Sequence, residues 1–466
     1  MSRPQTILVG IQLPKVPPAE TESSMQELRR LVDTLGFEVL GTVKQKRNAI
    51  SGGVVVGQGK LRELATWTGG PGVVSPTFQA KKSKAAERFG LKEDEETDDE
   101  DVSAEDDATL EEAGDGDAGP PPGVTVDTVV FDCDLTPSQL RNLESALACK
   151  VLDRTGVIIE IFSRHARTKI AKLQVEIARL NYLAPRLRET GGGDDRSGGG
   201  VGGKGAGESS QELDRRRIRD RIKELKQELE SVQDESSVRR ARRSEENCVA
   251  LVGYTNAGKS SLMRALTGSE ILVADKLFAT LDTTVRPLHP ASLPKVLVSD
   301  TVGFIKKLPH DLVASFRSTL DEALSADLLL YVVDASDPTF RSQLQVTRDV
   351  IKEVGAHEAP SRLILNKRDR LTIEEQDKLR GEFPEAIFLS TRNPDDLALL
   401  RDHLLGFFEQ GMVDEDVLIP FNVPGAMGEI RRQTRVLQES YNEKGALLRV
   451  RAPQTVLAQL RSRFSL

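Results

Sequence analysis

Gly253-Tyr254-Thr255-Asn256-Ala257-Gly258-Lys259-Ser260 follows a short apolar run, Cys248 to Val252, and precedes a helical pattern through Leu262 and Leu266. A G-x-x-x-x-G-K-S loop between a strand and a helix holds phosphate for physical reasons. Its glycines let backbone N–H groups turn inward around an anion, and the helix N-terminus adds partial positive charge. Lys259 is placed to reach the β- and γ-phosphates of a nucleotide, and the Ser260 hydroxyl to ligate Mg²⁺.

Further signatures follow in the order such a site requires. The strand Lys295 to Val298 leads into Asp300-Thr301-Val302-Gly303. An aspartate here holds Mg²⁺ directly or through water, and the Gly303 N–H meets the γ-phosphate. Between the two motifs, Phe278-Ala279-Thr280-Leu281-Asp282-Thr283-Thr284 stands where a switch segment belongs. One of its threonines must complete the metal shell, and spacing alone leaves Thr280, Thr283 and Thr284 open. Two buried strands, Leu328 to Asp334 and Arg362 to Leu365, come next, and the second ends in Asn366-Lys367-Arg368-Asp369. The Asp369 carboxylate can accept two N–H bonds from the guanine edge, whereas adenine offers an acceptor at its ring nitrogen. A carboxylate left unpaired is costly, a discrimination of the ~10⁴-fold class. The expected ligands are GTP and GDP. Ser390-Thr391-Arg392, after the strand Ala386 to Leu389, can touch the base through its backbone. Directly after the D-x-x-G stands Phe304, where many GTPases carry a glutamine that orients the attacking water. A phenyl ring cannot do that, so Phe304 is expected to pack. No catalytic residue is assigned beyond the electrostatic help of Lys259.

These residues need a scaffold, and the chain reads as four parts. A strand, Ile7 to Gln12, a helical pattern at Met25, Leu28, Leu31, Val32 and Leu35, and strands Glu38 to Val43 and Thr128 to Asp132 predict an α/β domain over 1–162. Its next helix opens at Thr136-Pro137-Ser138-Gln139, with a cap and a proline in first position. From Ser163 to Leu187, Ile170, Leu173, Ile177, Leu180 and Leu183 give one apolar helical face with a basic opposite face. Residues 191–207 hold ten glycines, and a second pattern follows at Ile218, Ile222, Leu225, Leu229 and Val232. Two amphipathic helices around a flexible tip predict an antiparallel hairpin over 163–245. A GTPase domain then occupies 246–412. A small C-terminal α/β domain, 413–466, carries strand-like Val417 to Phe421 and Leu447 to Val450.

The net charge of −8 conceals a division. Residues 93–117 contain fifteen Asp or Glu and no Lys or Arg, so the rest of the chain is net basic. Such a block cannot bury enough apolar surface to fold, and 93–122 is expected to be a disordered insertion. The basic remainder permits a nucleic-acid partner.

Together these motifs resemble the HflX family of ribosome-associated GTPases over nearly the whole chain. The likeness rests on the phosphate loop, on Phe278-Ala279-Thr280-Leu281-Asp282 and on Asp300-Thr301-Val302-Gly303-Phe304-Ile305. Outside them it rests on Leu135-Thr136-Pro137-Ser138-Gln139, Arg141-Asn142-Leu143-Glu144, Asp153-Arg154-Thr155-Gly156 and Lys172-Leu173-Gln174-Val175-Glu176. The resemblance implies a Ras-like P-loop GTPase domain, with Thr280 as the switch threonine on Mg²⁺. It also implies binding to the large ribosomal subunit, with the hairpin directed at ribosomal RNA, in ribosome splitting, rescue or subunit maturation.

Three cysteines without metal-like spacing and five scattered histidines point to a reducing compartment and to no metal cluster. No apolar run approaches the ~20 residues of a membrane span, and the C-terminus offers no cysteine for a lipid. A cytoplasmic monomer is expected. The rival reading, a signalling or trafficking switch that recruits a protein effector, lacks that lipid anchor and leaves the basic arm without a use.

Overall fold

The computed structural model describes residues 3–50, 52–74, 125–186, 210–241, 246–269, 277–278, 283–306, 324–356 and 358–464. The acidic block 93–122, the Gly-rich tip 191–207 and Ala279-Thr280-Leu281-Asp282 lie outside the described residues. The fold class is α/β, as the alternation of strand and helix patterns predicts. Two compact units are distinguished, Met1–Ile161 with Arg179–Arg219, and Phe162–Ala178 with Asp220–Leu466.

The first unit is built on four parallel strands: β1 (Gln5–Gln12), β2 (Glu38–Lys46), β3 (Thr128–Phe131) and β4 (Lys150–Asp153), in the order β2-β1-β3-β4. Helices α1 (Pro18–Thr34), α2 (Gln58–Thr68) and α3 (Pro137–Leu147) connect them. At the start of α3 the Thr136 hydroxyl accepts from the Gln139 N–H, and the Gln139 side chain accepts from the Thr136 N–H. That reciprocal cap satisfies two donors the helix would otherwise leave unpaired. The Asp153-Arg154-Thr155-Gly156 motif turns β4 directly into α4 (Arg154–His165). Asp153 accepts from the Gly156 N–H at 2.7 Å, the Tyr182 hydroxyl at 2.7 Å and Arg186 at 3.1 Å. Arg154, only 1% exposed, bonds Asp132 at 2.7 Å and also pairs with Glu27. Breaking one partner of such a buried pair costs ~3–5 kcal/mol, so this motif holds the domain together.

The pattern read as one helix from Ser163 is divided in the structure. α4 ends at His165, and α5 (Lys169–Leu183) begins after a break at which the Thr168 hydroxyl accepts from the Ala171 N–H. Pro185, which has no N–H to continue the ladder, stands in the 3₁₀ turn Ala184–Arg186 that follows α5. The long helix α6 (Ser210–Ala241) pairs with α5 through Arg221–Glu176 at 3.3 Å and Lys169–Glu228 at 2.8 Å. Seven residues back along α5 match seven forward along α6, the register of antiparallel helices.

In the second unit β5 (Asn247–Gly253), β6 (Thr284–Pro287), β7 (Val296–Asp300), β8 (Leu328–Asp334), β9 (Ser361–Asn366) and β10 (Ile387–Phe388) form a sheet in the order β10-β9-β8-β5-β7-β6. Only β6 is antiparallel to its neighbour. The central strands are buried on both faces, which is why they read as unbroken apolar runs. The helices among the described residues of this part are α7 (Lys259–Thr267), α8 (Phe340–Val354), α9 (Ile373–Glu382) and α10 (Pro394–Glu409). A three-stranded antiparallel sheet follows, β11 (Val413–Pro420), β12 (Arg435–Asn442) and β13 (Gly445–Ala452), in the order β11-β13-β12. Helices α11 (Ala426–Gln433) and α12 (Gln454–Phe464) bring Ile430, Leu457 and Leu460 into a shared core with Val417, Leu448 and Val450. The sequence predicts two of these three strands, β11 and β13. β12 is exposed along most of its length and has no apolar alternation to announce it.

Candidate nucleotide site

β5 lies between β7 and β8, so the chain departs from its carboxyl end in both directions across the sheet. A crevice opens at such a switch point, and the Gly253–Ser260 loop occupies it. Lys259 is folded back into this loop, its Nζ donating to the Gly253 carbonyl at 2.9 Å and the Tyr254 carbonyl at 2.8 Å. The Ser260 hydroxyl donates to Asp300 Oδ2 at 2.7 Å. Thr301 ties the end of β7 to β5 through a 2.7 Å bond from its hydroxyl to the Leu251 carbonyl. Beyond it, the Thr255 N–H bonds the Phe304 carbonyl and the Phe304 N–H bonds the Gly253 carbonyl, at 2.8 and 3.1 Å. At Gly303 a methyl group would stand 2.8 Å from Thr255 Cγ2 and 3.0 Å from Lys259 Nζ, so only glycine fits there. Phosphate loop and D-x-x-G are thus one zipped structure.

The Asn366-Lys367-Arg368-Asp369 turn braces the same loop from the other side. Asn366 Nδ2 donates to the Ala257 carbonyl at 2.9 Å, and Lys367 Nζ donates to the Asn256 carbonyl at 2.9 Å and Asp334 Oδ2 at 2.6 Å. Gly258, at φ +98°, passes so near Asn366 that a Cβ would lie 2.2 Å from its Nδ2. Asp369 accepts from the Ser390 hydroxyl at 2.6 Å, with Arg392 4.0 Å away. That hydroxyl, chiefly, holds the Asp369 carboxyl below the usual carboxylate range, so it is an anion at neutral pH. Thr391 sits between the two, half-buried.

Two further supports carry only faint signals in the sequence. Asp396, nearly buried, accepts from the Ser390 N–H at 2.7 Å and pairs with Arg368 at 2.6 Å. It fixes the loop that fixes Asp369. Asp334 does the same for Lys367 from the end of β8. The available signals were an aspartate closing an apolar strand and another in the first turn after Asn393-Pro394. Two residues drawn into the site by their motifs have side chains that pack. The Tyr254 hydroxyl accepts from the Lys306 N–H at 2.6 Å, and the Phe278 ring meets Phe162 edge-on at 4.6 Å. Phe304 and Val302 are buried as well. Of the switch segment, Thr283 and Thr284 are described and half-buried, and Thr280 lies outside the described residues.

A hydroxyl and a carboxylate converging beside the phosphate loop are hard oxygen donors, the set Mg²⁺ prefers. Residues and ion fit.

The chain is 55% identical to the GTPase HflX of Gluconacetobacter diazotrophicus over 98% of its own length and 97% of that protein. It belongs to the HflX family of GTPases. The HflX of Caldanaerobacter subterraneus subsp. tengcongensis is 36% identical over 98% of this chain and 93% of its own. Three family descriptions match: "GTP-binding GTPase N-terminal" over 22–73 and 123–163, "GTP-binding GTPase Middle Region" over 165–243, and "50S ribosome-binding GTPase" over 248–367. A solved GTP-binding protein from Sulfolobus solfataricus, in complex with GDP, is 21% identical, with a TM-score of 0.42 over 87% of this chain and 99% of that one. This HflX chain is therefore a GTP hydrolase. No described helix is long and apolar enough to cross a membrane.

Burial pushes the Lys259 ammonium down to about 8, against a smaller opposing pull from Asp300. Because this lies below an ordinary lysine, protonation below about 8 costs the free fold stability. That cost fades as pH rises toward the usual lysine value. A bound polyphosphate favours the ammonium, so nucleotide binding restores the proton. GDP affinity is expected to fall roughly sixfold between pH 7.0 and 8.8, with proton uptake at the higher pH. Calorimetry in two buffers of different ionisation enthalpy measures both; a flat profile would count against a free-state lysine near 8.

Proposed function

We propose that this GTPase binds the large ribosomal subunit in its GTP-bound state, with the α5–α6 arm directed at ribosomal RNA, and uses hydrolysis to leave. The work so coupled is ribosome splitting or rescue, or subunit maturation, carried out by a cytoplasmic monomer. One observation carries the reading. Between residues 214 and 223 the exposed side chains of α6 include Arg215, Arg216, Arg217, Arg219, Arg221 and Lys223, against Asp214 and Asp220. An exposed helical surface of that sign is suited to phosphodiester backbone. The match of residues 248–367 to a family of 50S ribosome-binding GTPases supports the same partner.

In this reading the four parts are 1–162, the arm 163–245, the GTPase domain 246–412 and the C-terminal domain 413–466. The backbone from Gly253 to Gly258 wraps the phosphates, and Lys259 exchanges its loop carbonyls for phosphate oxygens. Ser260, Asp300 and Thr280 would hold Mg²⁺, which when bound neutralises charge on the phosphates. Gly303 meets the γ-phosphate, and Asp369 reads guanine with Asn366, Lys367 and the Ser390-Thr391-Arg392 backbone around it. The Phe278 ring lies on Phe162, near the end of α4 and seven residues before α5, and this is the contact through which reordering of the switch would reach the arm.

Sedimentation of purified large subunits through sucrose tests the proposal. The protein should travel with them in a non-hydrolysable GTP analogue and not in GDP. Replacing Arg215, Arg216 and Arg219 by glutamine should weaken that association at least ~tenfold and flatten its salt dependence. Co-sedimentation that ignores the nucleotide and these arginines would defeat the reading.

A further inference from the structure

A cleft of about 400 Å³ opens between α10, the loop before β7 and the junction of α11 with β12. Its polar lining is Ser292, Arg401, Arg431, Thr434 and Arg435; the rest is apolar or alanine, with no carboxylate among the described lining residues. Three guanidiniums line one cleft, two of them paired with carboxylates outside that lining, and the pairing of each one says how much charge is left over.

Arg431 spends one nitrogen, Nη2, on both oxygens of Glu439, at 2.7 Å each. Arg435 pairs with Glu409, but Arg451 bonds the same carboxylate at 2.9 Å, so Arg435 has only a share in it. Arg401 has no carboxylate partner among the described residues. Its Nη2 donates to the Pro290 carbonyl at 2.9 Å, and its Nε is buried without a hydrogen-bond partner. A buried N–H of a charged group is costly until an acceptor reaches it. The residual charge of the cleft therefore sits on the arginine with an unmet donor.

We propose that this cleft binds a phosphate group, independently of the nucleotide site. Guanidinium forks match phosphate oxygens two at a time, and several converging on one pocket favour a tetrahedral, multiply charged anion. Arg401 belongs to the helix after the guanine loops, whereas Arg431 and Arg435 belong to the three-stranded part that follows. A phosphate held by all three clamps these two parts together. Its source is either a free phosphorylated small molecule or the backbone of an RNA strand.

Protein saturated with GDP and Mg²⁺, so that the phosphate loop is filled, is titrated with inorganic pyrophosphate and separately with a hexamer of uridylate. The proposal expects saturable one-to-one binding of at least one probe, seen as heat and as a rise in melting temperature. Arg401→Gln should weaken it at least tenfold while leaving GDP affinity unchanged. Arg435→Gln serves as the second variant should the first not fold. Tighter binding of the hexamer assigns the site to RNA backbone; tighter binding of pyrophosphate assigns it to a small molecule. No saturable binding of either probe, or binding that both variants retain, overturns the site.

Discussion

Asp369→Asn is expected to turn this GTPase into a protein that prefers xanthosine triphosphate. The carboxylate is held by the Ser390 hydroxyl at 2.6 Å and lies in the anionic form. Both of its oxygens can accept, matching the ring N–H and the amino group that guanine presents side by side. In the asparagine variant the Ser390 hydroxyl still donates to Oδ1, and that bond fixes which way round the amide sits. The new NH₂ then faces the guanine amino group, donor against donor, whereas xanthine offers a carbonyl at that position. Loss of a charge-assisted pair should weaken GTP binding by about 1–3 kcal/mol, roughly 5- to 150-fold. Affinities for the two triphosphates, measured by fluorescent-nucleotide competition, give the answer. If the variant still prefers GTP, Asp369 is not the base reader. Ser390→Ala separates the two contributions, because it should blunt the switch while leaving GTP preferred.

The second large effect concerns hydrolysis. Phosphate release by the protein alone should be slow, and purified large subunits should raise it at least ~tenfold, about 1.4 kcal/mol off the barrier. Phe304 is the reason. It stands where a water-orienting glutamine would, it is only 3% exposed, and its N–H and carbonyl are both bonded to the phosphate loop. A residue pinned in that way cannot swing toward a water. Phe304→Gln should therefore fail to raise the intrinsic rate, since the new amide would be buried facing the wrong way. What remains on the chain is electrostatic: Lys259, the loop N–H groups and the bound ion. The missing part must come from order imposed on the switches, or from a group supplied by the partner. Deleting 191–207 should reduce the stimulation with little change in nucleotide affinity. A fast rate for the protein alone, unaltered by subunits, would remove the coupling and leave the GTPase assignment intact.

Much of this was legible in one dimension because the chemistry is local. A phosphate loop needs its glycines and its lysine within eight residues, so Gly253 to Ser260 can be read without a fold. Helix caps are equally local, and Thr136 with Gln139 closes as its spacing predicts. Strands buried on both faces, such as Leu328–Asp334, declare themselves by composition. The rest depends on residues that meet only after folding. Asp396 supports Asp369 through Ser390 and Arg368; an aspartate after Asn393-Pro394 signals a helix start, but which residues it meets is decided only by the fold. Lys259 is placed by its motif to reach phosphate, and the fold buries it with its Nζ donating to its own loop carbonyls; the burial is what lowers its proton affinity. The division of the helical run at His165 is visible only where the Thr168 hydroxyl caps the next helix. Phe278 finds Phe162 across more than a hundred residues of sequence, and Arg401 joins Arg431 and Arg435 around one cleft from two different parts of the chain. Sequence fixes which groups exist and what their neighbours along the chain can do; burial and long-range pairing set their charge, their orientation and which of them are left with an unmet bond.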